Sequence, residues 1–144
     1  MAEAVGLAAG IISIVVPALH GARLLLRDLE KITNVPDAIA KLKEDVASIS
    51  ASLVLLKDID EPIWLSLGVR VADEFKATAE SCEAACDVIR SDLQRWTKRS
   101  KGTTLSWLDR VQVSFFRDHQ LKAHTARLHA YRLTFGTIVG TATL

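Results

Sequence analysis

At 144 residues and 49% hydrophobic, with a net charge of +1, the chain is too apolar for a disordered segment and long enough to bury a sizeable core. Two cysteines exclude a disulfide-dense secreted scaffold. The near-neutral balance hides a division: residues 1–88 carry eight Lys and Arg against fourteen Asp and Glu, and residues 89–144 carry ten against three, with three of the four histidines. Either the two halves face each other within one fold, or the basic half meets an anionic partner.

The first predicted element is a helix over about Glu3 to Lys31. Its stretch Ala4 to Ala22 contains no Asp, Glu, Lys or Arg over nineteen residues. As a helix that stretch is about 28 Å long, close to the ~30 Å hydrocarbon core of a bilayer. It starts three residues after Met1 with Glu3 where a signal peptide carries Lys or Arg, so it reads as part of the working protein. Val5, Leu7, Ile11, Ile12, Ile14, Val15, Val16 and Leu19 together contribute about −2.5 to −5 kcal/mol on an insertion scale. Gly6, Gly10, Ser13, Pro17, His20 and Gly21 oppose it, so insertion alone is marginal. Two readings follow: a helix apolar all round because a bundle buries it, or one buried at rest and released into a membrane. Pro17 removes the bond to the Ser13 carbonyl and is expected to kink or split the helix.

Asn34-Val35-Pro36-Asp37 reads as a stop followed by a start. From there Ile39, Leu42, Val46, Ile49, Leu53 and Leu56 alternate steps of three and four, one apolar stripe of a second helix. Lys57 to Pro62 breaks the pattern and reads as a loop. A third, longest helix places Leu67, Val71, Phe75, Thr78, Cys82, Ala85, Ile89 and Trp96 on a heptad-like seam flanked by Cys86 and Leu93, a spacing that favours near-antiparallel bundle packing. It ends in the basic turn Trp96 to Gly102. Thr103 or Thr104 then caps a short helix carrying Leu105, Trp107, Leu108, Val111 and Phe115. In the last helix Leu121, Leu128 and Phe135 repeat every seven, with Tyr131 and Ile138 between. No strand pattern competes. The expected fold is all-α, an up-down four-helix bundle with a short additional amphipathic helix, as one domain over residues 1–144 with 1–22 as its hydrophobic segment.

Chemistry-bearing motifs are scarce. Cys82 and Cys86 sit on consecutive helical turns, where a disulfide would staple almost nothing; they read as free core thiols in a reducing compartment. His119, His124 and His129 step by five and so do not share a face as metal ligands, with His124 read as a partly buried core residue. The adjacent pairs Glu44-Asp45 and Asp73-Glu74 read as solvated surface. No nucleophile elbow, phosphate loop, zincin or dinucleotide glycine pattern appears, so no catalytic residue, metal or cofactor is expected. The cations Arg95, Lys98, Arg99, Lys101, Arg110 and Arg117 read as lipid-headgroup contacts, each worth up to about 1 kcal/mol near an anionic leaflet. No interleaved aromatics accompany them, so nucleic acid is not the expected partner. Gly6 with Gly10, and Gly136 with Gly140, either pack the first and last helices together or serve an oligomer contact.

Val5-Gly6-Leu7-Ala8-Ala9-Gly10, the linker Val35-Pro36 leading into Ile39, Leu42, Asp45-Val46, Ile49 and Leu53, and the closing Trp107-Leu108, Leu121, Leu128 and Tyr131 together resemble the HeLo-like group. These are fungal N-terminal domains of STAND and NLR-type immune receptors and of amyloid-controlled cell-death proteins, similar to the N-terminal bundle of the mammalian necroptosis executor. The resemblance implies a four-helix-bundle domain, cytoplasmic at rest, that oligomerises with itself and permeabilises the plasma membrane on activation. It maps membrane insertion onto Val5, Leu7, Gly10, Ile11, Ile12, Ile14, Val15, Val16 and Leu19. It also implies an upstream NLR/STAND or amyloid-forming partner. No amyloid motif or nucleotide-binding module follows in these residues, so the chain reads as an isolated effector domain. The competing expectation is a soluble interaction module of a STAND receptor that never enters a bilayer.

Overall fold

The computed structural model describes residues 2–33, 37–96, 105–106 and 111–143, with side chains for 6–32, 37–95 and 119–143. Among the described residues the chain is all-helical apart from one two-residue pairing. Helix α1 spans Ala2–Glu30, α2 Asp37–Lys57, α3 Glu61–Leu67, α4 Val69–Trp96 and α5 Val111–Ala142. Pro17 lies on the exposed side of α1 and does not divide it. Ser13, whose carbonyl loses its partner there, sends its own hydroxyl to the Gly10 carbonyl at 2.7 Å.

Helix α3 begins inside the predicted loop from Lys57 to Pro62, at Glu61, and takes in Leu67, which the sequence reading places on the following long helix. Pro62 acts as a starter in its first turn, where the missing N–H costs nothing. Gly68, at φ 101°, ends the helix by donating its N–H to the Trp64 carbonyl at 3.1 Å. The predicted short helix over 105–115 is replaced by two other structures. Leu105–Ser106 forms a parallel pairing with Ile32–Thr33, and Val111 and Phe115 belong to α5. Residues 107–110 lie outside the described residues.

Among the described residues, α1 packs on α2 and α4, and α5 packs on the same two helices from the other side; α1 and α5 do not touch. Asp28 meets Arg90 while Gly21 lies beside Cys86, so α1 and α4 point the same way. Phe75 meets Phe135 and Asp92 meets His124, so α4 and α5 run antiparallel. The glycine pairs therefore do not join the first and last helices. A Cβ built at Gly6, Gly10, Gly136 or Gly140 meets nothing within 4 Å, whereas one at Gly21 meets Cys86 and Glu83 at 3.9 Å, the closest glycine approach of α1 to α4.

The apolar stripe of α2 is buried at every predicted position, from Ile39 to Leu56, and Leu121, Leu128 and Phe135 are buried on α5. At the α3 end, Trp64 stacks on Phe75 with ring centroids 5.4 Å apart, and Phe75 meets Phe135 edge-on at 5.5 Å. Such pairs contribute about 0.5–1.5 kcal/mol each beyond area burial. Cys82 and Cys86 are free, buried core thiols. The hydrogen bond with Cys86, then burial, pushes the Cys82 thiol well above its ordinary range, so it is held protonated.

Asp73 and Glu74 are solvated, but Asp45 is not: it is fully buried on α2. Its Oδ1 accepts from Arg132 Nη1 at 2.9 Å and lies 3.4 Å from His129 Nδ1, both on α5, while Oδ2 has no hydrogen-bond partner. The carboxylate is tolerated because a guanidinium reaches it from the neighbouring helix. Arg90 and Arg132, both from the basic half, are thus spent on acids of the first half.

Candidate functional site

Helix α1 carries the sequence-predicted insertion residues, and the bundle divides them between two faces. Ile11, Val15 and Leu19 are buried, Leu7 and Ile14 half-buried, and Ile12 and Val16 exposed at 41% and 48%. Gly10 is half-buried with open space at its Cβ position, and the side chain of Val5 lies outside the described residues. Neither face is polar in the N-terminal part. The helix is neither wholly buried nor a conventional amphipath, because its outward positions Gly6, Ala9, Ile12, Ser13, Val16 and Pro17 carry no charge. Over its most apolar window within Gly6–Glu30 the mean hydropathy is 1.8 and 39% of the window is buried. By length and composition it can cross a membrane.

The same outward stripe changes character along its length. His20, Arg23 and Arg27 continue it by steps of three and four, and all three are exposed, followed by Glu30 and Lys31. Sequence reading assigned the basic role to the later tract and missed these two arginines. The signal was available: Arg23 and Arg27 lie seven and eleven residues beyond Val16, about two and about three helical turns, which return to the same side.

Of the predicted headgroup cations, Arg95 alone has its side chain among the described residues, and it does not lie beside the apolar stretch. Arg95 is exposed and paired with Asp92, which also lies 2.7 Å from His124 Nε2. It sits at the end of α4 nearest the close of α1, whereas the apolar stretch begins at the opposite end, beside α3. Lys98, Arg99, Lys101 and Arg110 lie outside the described residues, as does the side chain of Arg117.

Among the described residues, one polar contact ties the start of α1 to the rest of the molecule. Glu61, the first residue of α3, accepts the Ala8 main-chain N–H on Oε1 at 2.9 Å. Its other oxygen, Oε2, is buried without a hydrogen-bond partner. A carboxylate taking an amide near the positive end of a helix is a favourable placement. It also fixes where the N-terminal turns rest.

The three α5 histidines point to different surroundings, as their spacing requires: His119 is exposed, His124 is buried against Asp92 of α4, and His129 faces Asp45 of α2. Among the described residues no three His, Cys, Asp or Glu side chains come together as a metal-binding group. No curated protein and no solved structure matches the chain. A family model described as "Pigment biosynthesis cluster protein PigL N-terminal" matches residues 2–144. The chain belongs to the PigL N-terminal family.

Proposed function

We propose that this chain is a non-enzymatic, membrane-directed effector domain, cytoplasmic at rest, whose four long helices form an up-down bundle with α3 as the short extra helix. On activation the N-terminal part of α1 leaves the bundle, enters an anionic bilayer at the plasma membrane and permeabilises it as a homo-oligomer. The observation that carries this reading is the outward stripe of α1, uncharged from Gly6 to Pro17 and then basic at Arg23 and Arg27. That order suits a helix entering lipid by its N-terminal end with cations left at headgroup level.

The energies support a conditional insertion. Among residues 6–17, only Ile11 and Val15 are fully buried, worth about 1.5–3 kcal/mol each. The Glu61 contact to Ala8 adds about 1.5–3 kcal/mol. These exceed or match the about 2.5–5 kcal/mol gained on insertion, so the bundle holds α1 until something shifts the balance. The likeness to HeLo-like cell-death domains points the same way, with an upstream STAND or amyloid-forming partner as the trigger.

A second reading rests on the same stripe. Its exposed, uncharged surface from Gly6 to Pro17 also suits a soluble interaction module that docks α1 on a partner helix. Dye release from anionic vesicles separates the two. Val16→Glu and Ile12→Glu change exposed positions, so circular dichroism should stay at the parent level. A central carboxylate costs about 2.5–3.5 kcal/mol on insertion, so release should stop. Val15→Glu is the contrasting control: it buries an unpaired charge and should unfold the bundle. A folded Val16→Glu protein that releases dye as fast as the parent transfers the stripe to the interaction module.

A further inference from the structure

A groove of about 500 Å³ opens between the first turns of α4 and the last turns of α5. No residue of α1 lines it, so it is independent of the membrane reading. Its size falls in the range of about 300–1,000 Å³ typical of small-molecule sites. Phe75 forms the floor, backed by Trp64 and met edge-on by Phe135, while Leu67, Val71, Leu133 and Ile138 supply apolar walls.

The polar atoms that line the groove are acceptors. Four threonines line it, and each has already spent its one hydroxyl proton on its own helix. Thr78 donates to the Glu74 carbonyl at 2.8 Å, Thr134 to Ala130 at 3.1 Å, Thr137 to Leu133 at 2.9 Å and Thr141 to Thr137 at 2.9 Å. A hydroxyl so engaged retains acceptor lone pairs and has no donor left. The remaining polar lining group is the Glu74 carboxylate at the rim. Its partner Arg70 lies at 3.5 Å with its side chain 92% exposed, and such a pair is worth about 0–1 kcal/mol. It is readily exchanged for another cation.

We infer that this groove is a binding site for a single-chain cationic amphiphile, of the long-chain alkylammonium class, with its hydrocarbon tail over Phe75 and its ammonium at Glu74. The acceptor-only lining selects the ligand's polar end: an ammonium donates to carboxylate and hydroxyl oxygens, whereas a fatty carboxylate would bring more acceptors and a like charge. A neutral alcohol can use the apolar walls and gains nothing ionic from Glu74.

Calorimetric titration of the whole chain with decylammonium, decanol and decanoate, each below its micellar concentration, tests this directly. Decylammonium should bind up to about fivefold tighter than decanol, a difference of about 1 kcal/mol that an exposed ion pair can supply, and decanoate weakest. The methyl resonances of Thr78, Thr134, Thr137 and Thr141 should shift on binding. Glu74→Gln, at an exposed position, should bring decylammonium down to the decanol affinity and leave decanol unchanged. Thr137→Phe, also exposed, should fill the groove and remove binding of both at unchanged helicity. Val16→Glu should bind decylammonium as the parent does, which separates this site from any failure of the α1 reading. Equal affinity of the parent for decylammonium and decanoate would overturn the proposal. So would an intact preference in Glu74→Gln, or undiminished binding by a folded Thr137→Phe protein.

Discussion

The two halves of α1 are held by different kinds of force. From Gly21 onward the helix lies flush on α4, buries Ala22, Leu25 and Leu29 completely, and is pinned by the Asp28–Arg90 ion pair at 2.9 Å. From Gly6 to Pro17 it buries only Ile11 and Val15 completely and is tied by one carboxylate, Glu61. Apolar contacts are non-directional and a lipid tail replaces them as well as a protein core does. Charged pairs fixed across helices have no such substitute in hydrocarbon. The N-terminal half is thus the part of α1 that can exchange the bundle for another apolar environment at small net cost, while the C-terminal half stays as its tether.

Helix α5 belongs with the tether, and it supplies the sharpest contrast. Arg132→Met would leave the fully buried Asp45, among the described residues, with His129 at 3.4 Å to face it. Removing one partner of a buried pair costs about 3–5 kcal/mol, so the urea midpoint should fall sharply. Combining it with Asp45→Leu should recover most of the loss, because an apolar pair no longer leaves a stranded charge. If Arg132→Met instead frees the start of α1 while the rest of the protein stays intact, the division between latch and tether is misplaced.

Glu61→Ala acts on the other side of the comparison and should cost less, about 1.5–3 kcal/mol, in proportion to one charge-assisted hydrogen bond. The loss should be local. Amide hydrogen exchange should accelerate around Ala8 to Ile12 while protection from Ala22 to Leu29 holds, and binding to anionic vesicles should increase. Equal loosening of both halves would show that α1 moves as one unit and that Glu61 is ordinary stabilisation.

What the sequence made legible was periodic. The steps from Ile39 to Leu56 and from Leu121 to Phe135 record a helix face, and those faces are buried as the spacing requires. What it concealed depends on distant neighbours. Asp45 lies three residues beyond Leu42, on the same stripe, yet its acceptability as a buried group rests on Arg132, 87 residues away. The choice between Ile11 and Ile12, or Val15 and Val16, could not be read from an all-apolar tract, because α2 and α4 decide which side is covered. Pro62 was read as a breaker when its position made it a starter. The basic tract was legible as charge, but the distance of Arg95 from the apolar end of α1 follows from α4 running the same way as α1.

The smallest expected effect sharpens the tether side through the thiol packed beside it. Gly21 of α1 rests against Cys86, whose neighbour Cys82 has its thiol pushed upward by that hydrogen bond and by burial. An unfolded cysteine ionises near pH 8.5, so above that value unfolding releases a proton that the native state retains. The sign follows: this contribution is complete below the ordinary thiol range and is lost as pH rises, by up to about 1.4 kcal/mol per pH unit. Tyr131, also raised by burial, adds a loss in the same direction nearer its own ordinary value of about 10. Urea unfolding between pH about 8.5 and 9.5 therefore isolates the thiol. The parent should lose stability across that window, and Cys82→Ala should lose measurably less. Identical slopes would mean that Cys82 ionises natively and that the α1–α4 contact is looser than its packing indicates.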